Sequence, residues 1–164
     1  ICLATLSPKQ CSPIGRHILF CPVHDGEQRE IAGHSAFFFD IHSHKAKQFG
    51  FRLVSPEGQV IVCTGDEPLN ELCRPVVREA DWLLHESFCL EKDDSVFHPH
   101  DIGHGTVAEA ARTAQLLNVK NLVLWHTEDS VTYGTRKALY CGEAKKYFSG
   151  RVFVPEDLEV IPLR

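Results

Sequence analysis

The stretch VIVCTGD, residues 60–66, is an apolar run that ends on the carboxylate of Asp66. Two later runs end in a similar way: DWLLHE, residues 81–86, ends on His85 and Glu86, and NLVLWH, residues 121–126, ends on His126. A buried strand normally ends in turn residues, so these three endings predict side chains gathered along one edge of a sheet. Carboxylate and imidazole groups bind zinc or manganese, so the pattern favours a metal site there.

The rest of the chain predicts an α/β domain of the layered α+β type. Alternating or apolar runs predict strands over ILFCPV, SAFFFDIH, FGFRLV and QVIVCT, and SPEG between the last two suits a hairpin turn. The later part alternates between helix and strand, as expected for a layered domain. Its predicted helices are Glu71–Ala80, Val107–Leu117 and Thr135–Phe148, and its predicted strands are Trp82–His85, Leu122–Trp125, Arg151–Val154 and Leu158–Ile161.

Composition and charge set the outer limits. The 164 residues, 43% apolar, predict one globular domain, and no apolar run approaches the ~20 residues that span a bilayer. We therefore expect a soluble, cytoplasmic protein without a membrane partner. Seven cysteines without a C-x-x-C pair indicate neither a disulfide framework nor a thiolate zinc site. The net charge of −5 argues against a general surface for polyanions, which disfavours nucleic acid as a partner.

Several further histidines are candidate functional residues. His42 and His44 are two apart and would share one face of a strand, so either could bind a metal, and at least one is expected to be a surface residue. His104 lies just before a helix whose start is marked by the capping-box spacing of Thr106 and Glu109. Glu86 could orient His104 for proton transfer. The competing interpretations are a capping neighbour for His104, a turn residue for Asp66 and a core or rim histidine for His126.

Four motifs together resemble the metallo-β-lactamase-fold hydrolases, and the ribonuclease Z-like branch in particular. They are TGDEP, LLHESF, GHGTVAEAA and LVLWHTE, in the family's order and at about its spacing. The resemblance implies the carboxy-terminal part of an αββα sandwich. It implies that Asp66 bridges two metals, that His126 is a ligand, and that His44, with His42 as the alternative, is another. It also implies that Glu86 and His104 handle substrate and protons.

The family's H-x-H-x-D-H signature does not occur in these residues. We therefore expect residues 1–164 to be a single but incomplete domain that lacks its amino-terminal part. The implied activity is hydrolysis of a phosphodiester or other ester at a centre of two divalent ions. Zinc is the first expectation, manganese or iron would fit the same donors, and the centre would be completed by residues outside the chain.

The resemblance also suggests a substrate. In ribonuclease Z the arm that grips transfer RNA lies between the strand that here is FGFR and the TGD turn, and only twelve residues separate Arg52 from Gly65. We therefore expect a small phosphodiester or ester substrate and disfavour transfer RNA. The alternative function is a non-catalytic half domain, a binding module that a partner or a second copy of the chain completes as an oligomer.

Overall fold

A computed structural model of the protein describes residues 21–163. It contains a seven-stranded sheet, four α-helices and three short 3-10 turns. The strands are β1 (Gln28–Ile31), β2 (His34–Asp40), β3 (Phe49–Val54), β4 (Val60–Cys63), β5 (Trp82–Glu86), β6 (Asn121–Trp125) and β7 (Arg151–Phe153). The helices are α1 (Arg74–Val77), α2 (Asp94–Phe97), α3 (Val107–Leu116) and α4 (Arg136–Ala144), and the 3-10 turns are Glu71–Cys73, Glu91–Asp93 and Pro99–Ile102.

The strands lie in the sheet in the order of the sequence. β1 to β4 form an antiparallel meander, whereas β4, β5, β6 and β7 are parallel and are joined by segments that contain the helices. Because β4, β5 and β6 run in the same direction, their carboxyl ends lie at one edge of the sheet. The predicted α/β layered fold is confirmed, and so is the shared edge for the three strand endings.

The core lies between one face of the sheet and helices α3 and α4. Alternate strand residues such as Leu83, Leu122 and Leu124 point to the same buried cluster as the alanines of α3 and Tyr140 of α4. The alanines matter because their small side chains let α3 lie close to the sheet. This packing fixes the amino terminus of α3, and with it His104, relative to the strand ends.

Most predicted elements are found, with boundaries that differ by a few residues. FGFRLV is β3 over its full length, and the helix predicted at Val107 ends at Leu116, one residue early. The helix predicted over Glu71–Ala80 is a 3-10 turn followed by the four residues of α1. The strand predicted over ILFCPV begins outside the described residues, and its residues 21–23 are not in a strand.

One predicted strand, Leu158–Ile161, is wrong. In the structure this segment is a turn and an extended stretch that pairs with no strand of the described sheet. Leu158 has a left-handed φ of 65° and is fully exposed. A segment with alternating apolar residues forms a β-strand only when another strand lies beside it to accept its hydrogen bonds. The sequence of the segment itself does not show whether such a strand is present.

Candidate metal and catalytic site

Glu86, His104 and His126 come together at the carboxyl edge of the parallel strands. Glu86 is the last residue of β5, His126 follows β6, and His104 precedes α3. One ligand atom from each residue lies within 4.8 Å of the other two, a separation that a single metal ion could bridge. Glu86 and His104 are buried, whereas His126 is exposed. We call these three residues the edge cluster.

His104 lies at the centre of the edge cluster. Its ring is 4.7 Å from the ring of His126 and stacks on Phe88 at 5.3 Å, measured between centroids. Its Nδ1 is 3.5 Å from Glu86 Oε2. The backbone amide of His104 donates to the Pro99 carbonyl at 2.8 Å, which ties the loop before α3. Phe88 was not predicted, because a ring that stacks on a histidine leaves no pattern in the sequence.

Glu86 and His104 are both driven towards their neutral forms. Burial raises the pKa of Glu86 to about 8. Burial also lowers the pKa of His104, and the positive charges of Lys45 and His126 lower it further, while Asp66 opposes them. Without a metal, the pair is therefore a neutral carboxylic acid facing a neutral imidazole across 3.5 Å. Gly105 fixes the carboxyl group because its amide donates to Glu86 Oε1 at 2.8 Å.

Asp66 adjoins the edge cluster. Gly65, with φ of +83°, turns the chain sharply after β4, and Asp66 follows it. Asp66 interacts with His104 through its backbone and its charge. Three buried polar atoms at this edge, Asp66 Oδ1, Glu86 Oε2 and His104 Nδ1, have no hydrogen-bond partner. Buried polar atoms normally have one, so these orphaned oxygen and nitrogen donors fit a bound cation.

His42 and His44 lie on the same edge but outside the edge cluster. Both are exposed on the loop between β2 and β3, and both line a cavity of about 220 Å³ together with His104 and Gly103. His42 has a left-handed φ of 58°, as does His126 with 53°, an unfavourable conformation for a residue with a Cβ. The structure thus places both histidines beside the cluster without choosing between them.

His85, the other polar ending of β5, has a structural role. The Leu69 amide donates to its Nε2 at 3.3 Å, so the proton must be on Nδ1, which donates to the Glu86 carbonyl at 2.5 Å. Burial lowers the pKa of His85, which suits this neutral form. Both ring nitrogens are occupied, so His85 orients the end of β5 and is not free to bind a metal.

Comparisons with known proteins identify relatives in sequence. No protein-family model matches the chain. Ribonuclease Z of Pseudomonas putida (strain KT2440) is 35% identical over 112 residues, which cover 63% of this chain and 33% of that protein. Ribonuclease Z of Thermococcus sibiricus is 33% identical over 107 residues, which cover 65% of this chain and 32% of that protein. The chain therefore spans about one third of the length of the curated relatives it matches.

Solved structures share the fold. The metallo-β-lactamase fold protein YhfI from Bacillus subtilis has a TM-score of 0.66 at 21% identity, with 82% of this chain and 52% of that chain covered. Human tRNase Z, short form, has a TM-score of 0.61 at 24% identity, with 83% and 46% covered. At such identities these structures show the fold alone.

The comparisons correct one expectation from the sequence. A small phosphodiester or ester substrate, with transfer RNA disfavoured, is wrong, because the curated relatives are ribonucleases. The net charge misled because a total of −5 does not describe the local charge of the surface that an RNA would contact. The short connection between Arg52 and Gly65 likewise says nothing about RNA contacts made elsewhere.

No helix among the described residues is long and apolar enough to cross a membrane. The sequence similarity and the shared fold lead to one assignment. The chain has the metallo-β-lactamase fold and is similar in sequence to ribonucleases Z over 63–65% of its length.

Proposed function

We propose that this chain carries part of the active site of a metal-dependent ribonuclease, a hydrolase of RNA phosphodiester bonds. The observation that carries the proposal is the edge cluster with Asp66 beside it, in a chain that is 35% identical to a ribonuclease Z over 112 residues. A transfer-RNA-containing substrate is the first to test, because the human protein with this fold is named a tRNase.

Asp66 and His126 would hold metal, with His44, or alternatively His42, as a further ligand. A divalent metal at this position supplies a Lewis acid and a water of lowered pKa, and zinc fits the nitrogen and oxygen donors, as manganese or iron also would. Three donors are fewer than two metal ions need. We therefore also propose that the site is binuclear and is completed by residues outside these 164.

Glu86 and His104 would move protons. In the metal-free protein the raised pKa of Glu86, about 8, keeps a proton on its carboxyl group at neutral pH, and its Oε2 lies 3.5 Å from His104 Nδ1. A proton passed to Nδ1 lets His104 release one from Nε2, the ring nitrogen on the other side, to the leaving oxygen of the RNA. Burial and the stacked Phe88 ring hold the imidazole in a single orientation for this transfer.

The test is cleavage of a transfer-RNA-containing RNA by the full-length protein with added zinc or manganese, with DNA of the same sequence for comparison. We expect metal-dependent cleavage of RNA, and a loss of ~10²- to 10⁴-fold in kcat for His104→Ala. The control is His34→Ala at the start of β2, at the opposite edge of the sheet, which should leave kcat unchanged.

Metal content separates the two roles open to His104. If His104 transfers protons, His104→Ala retains its metal and loses activity. If the variant loses its metal as well, His104 is a ligand in a three-residue site with Glu86 and His126, and the proposed relay is wrong. Failure of the metal-loaded wild-type protein to cleave any RNA would overturn the ribonuclease proposal itself.

A further inference from the structure

Lys45 extends from the β2–β3 loop to the edge cluster. A Cβ atom added at Gly103 would lie 2.6 Å from Lys45 Cε and 3.1 Å from Lys45 Nζ, so the lysine side chain crosses the backbone of the residue before His104. Gly103 also has φ of +74°, which a residue with a side chain rarely adopts. The absence of a side chain at position 103 gives Lys45 room beside His104.

The loop that carries Lys45 is fixed by the buried carboxylate of Glu67. Glu67 Oε1 accepts hydrogen bonds from Ser43 Oγ at 2.6 Å and from Gln48 Nε2 at 3.3 Å. The same oxygen is 3.8 Å from Lys45 Nζ, which is longer than a hydrogen bond. Since Ser43 and Gln48 hold the loop on their own, the ammonium group of Lys45 is available to a second anion, and 41% of its side chain is exposed.

The charge of Lys45 reaches both proton-transfer residues. It favours the ionised form of Glu86 and the neutral form of His104, so it lowers the pKa of each. At Glu86 it opposes the larger effect of burial, and at His104 it adds to it. A cation that acts on both groups lies near the place where a substrate would meet them. This agrees with the contact at Gly103.

Lys47, two residues later, differs in each of these respects. Its Nζ is 3.5 Å from Asp40 Oδ2 and lies over the Phe49 ring at 5.5 Å, and 67% of its side chain is exposed. Lys47 is not among the groups that mainly shift the pKa of Glu86 or of His104. Lys47 therefore provides a control of equal charge on the same loop.

We propose that Lys45 binds a phosphate of the RNA substrate next to the phosphodiester that is cleaved. The inference rests on the proposed ribonuclease function, because it needs a polyanionic substrate at this edge. An ammonium group is a compact charge with three donors, suited to a phosphate oxygen. The Glu67 pairing keeps the lysine pre-oriented, so little side-chain entropy is lost on binding.

The test is RNA binding by the full-length, metal-loaded protein in a His104→Ala background, in which cleavage is suppressed. We expect Lys45→Ala to weaken binding about three- to tenfold at moderate salt and to reduce the slope of log affinity against log salt by about 1. Lys45→Arg should retain most of the affinity, because it keeps the charge. Lys47→Ala should retain both the affinity and the slope.

Three results are decisive. Equal affinities and slopes for Lys45→Ala, Lys47→Ala and their parent would overturn the role of Lys45 while leaving the ribonuclease proposal standing. A parent that binds no RNA would overturn the ribonuclease proposal and this inference with it. If Lys45→Ala alone lowers kcat and metal content, while adding it to His104→Ala leaves the salt slope of RNA binding unchanged, Lys45 is purely structural and the inference is also overturned.

Discussion

Glu86 is a carboxyl group held where water cannot reach it. Its side chain is fully buried at the end of β5, and one oxygen, Oε1, is held by the Gly105 amide while the other, Oε2, has no hydrogen-bond partner. Ionising such a group is costly unless a cation or a proton neutralises it. Glu86 is therefore either protonated or ionised beside a bound cation. Without a metal, burial keeps it protonated and neutral.

Glu86 should make the metal-free protein less stable as the pH rises. Its pKa in the folded state, about 8, lies above the ordinary value of 4.5, so the folded protein holds more protons between these values. Its contribution to the free energy of unfolding is fully present below pH 4.5 and is lost as the pH rises towards 8. We expect Glu86→Gln to remove ~5 kcal/mol of this pH dependence.

Denaturant unfolding of metal-free protein at a series of pH values checks this expectation. The difference between wild type and Glu86→Gln isolates Glu86 from His104, whose lowered pKa acts with the opposite sign. Glu57→Gln in the exposed turn between β3 and β4 should keep the wild-type profile over the upper part of the range. Parallel curves for wild type and Glu86→Gln would contradict a buried neutral carboxyl group.

Site residues could be predicted from the sequence only where a polar residue interrupts a regular pattern. Asp66, Glu86 and His126 each end an apolar run, and His104 precedes a capping box, so all four stand out. Lys45 could not be found in this way, because its position depends on how a loop crosses Gly103. His85 has the same kind of signal as Glu86 but serves the backbone, which only the observed hydrogen bonds reveal.

Helix α3 is the element that carries His104 to the edge cluster. Its capping box is complete: the Glu109 amide donates to Thr106 Oγ1 at 3.3 Å, and the Thr106 amide donates to Glu109 Oε2 at 2.8 Å. His100 adds a contact to the Glu109 carboxylate at 2.9 Å, which ties the preceding loop to the same cap. Cap and loop together set the distance between α3 and the strand ends.

Removal of this cap should destabilise the protein. Thr106→Ala leaves an amide of the first turn without its acceptor, and we expect a loss of ~1 kcal/mol in the free energy of unfolding. Thr113→Ala, the same substitution inside α3, should change stability by no more than about 0.5 kcal/mol, because alanine favours a helix interior. Urea unfolding of both variants measures the difference, and equal losses would mean that the cap contributes nothing specific.

Elements were predicted best where their own residues decide them. β3 and α3 have strong local signals, namely alternation with large apolar side chains and a capping box, and both occur where predicted. α1 is shorter than predicted. Pro75 suits the first turn of a helix, but the backbone leaves the helical conformation at Arg78, directly after Val77. The strand predicted at Leu158–Ile161 required a partner strand, and the sequence of that segment carries no information about one.

At the scale of the whole molecule, the residues of the proposed site are gathered at one place in the sheet. The edge cluster, Asp66 and the two loop histidines lie at one edge of the sheet, where the carboxyl ends of β4, β5 and β6 meet the loop after β2. Their donors are too few for two complete metal shells. A binuclear site of the kind proposed would therefore need further donors from outside these 164 residues.

Metal content of the full-length protein should therefore be about two ions per chain, measured by elemental analysis on a sample of confirmed intact mass. Asp66→Asn should lower the content most if that carboxylate bridges both ions, and His126→Ala should remove about one ion.

His44→Ala should lower the metal content as well, whereas His42→Ala should leave it unchanged and serves as the control on the same loop. The reverse outcome would make His42 the ligand, and a full-length protein with no metal would replace the ribonuclease proposal with a non-catalytic binding role.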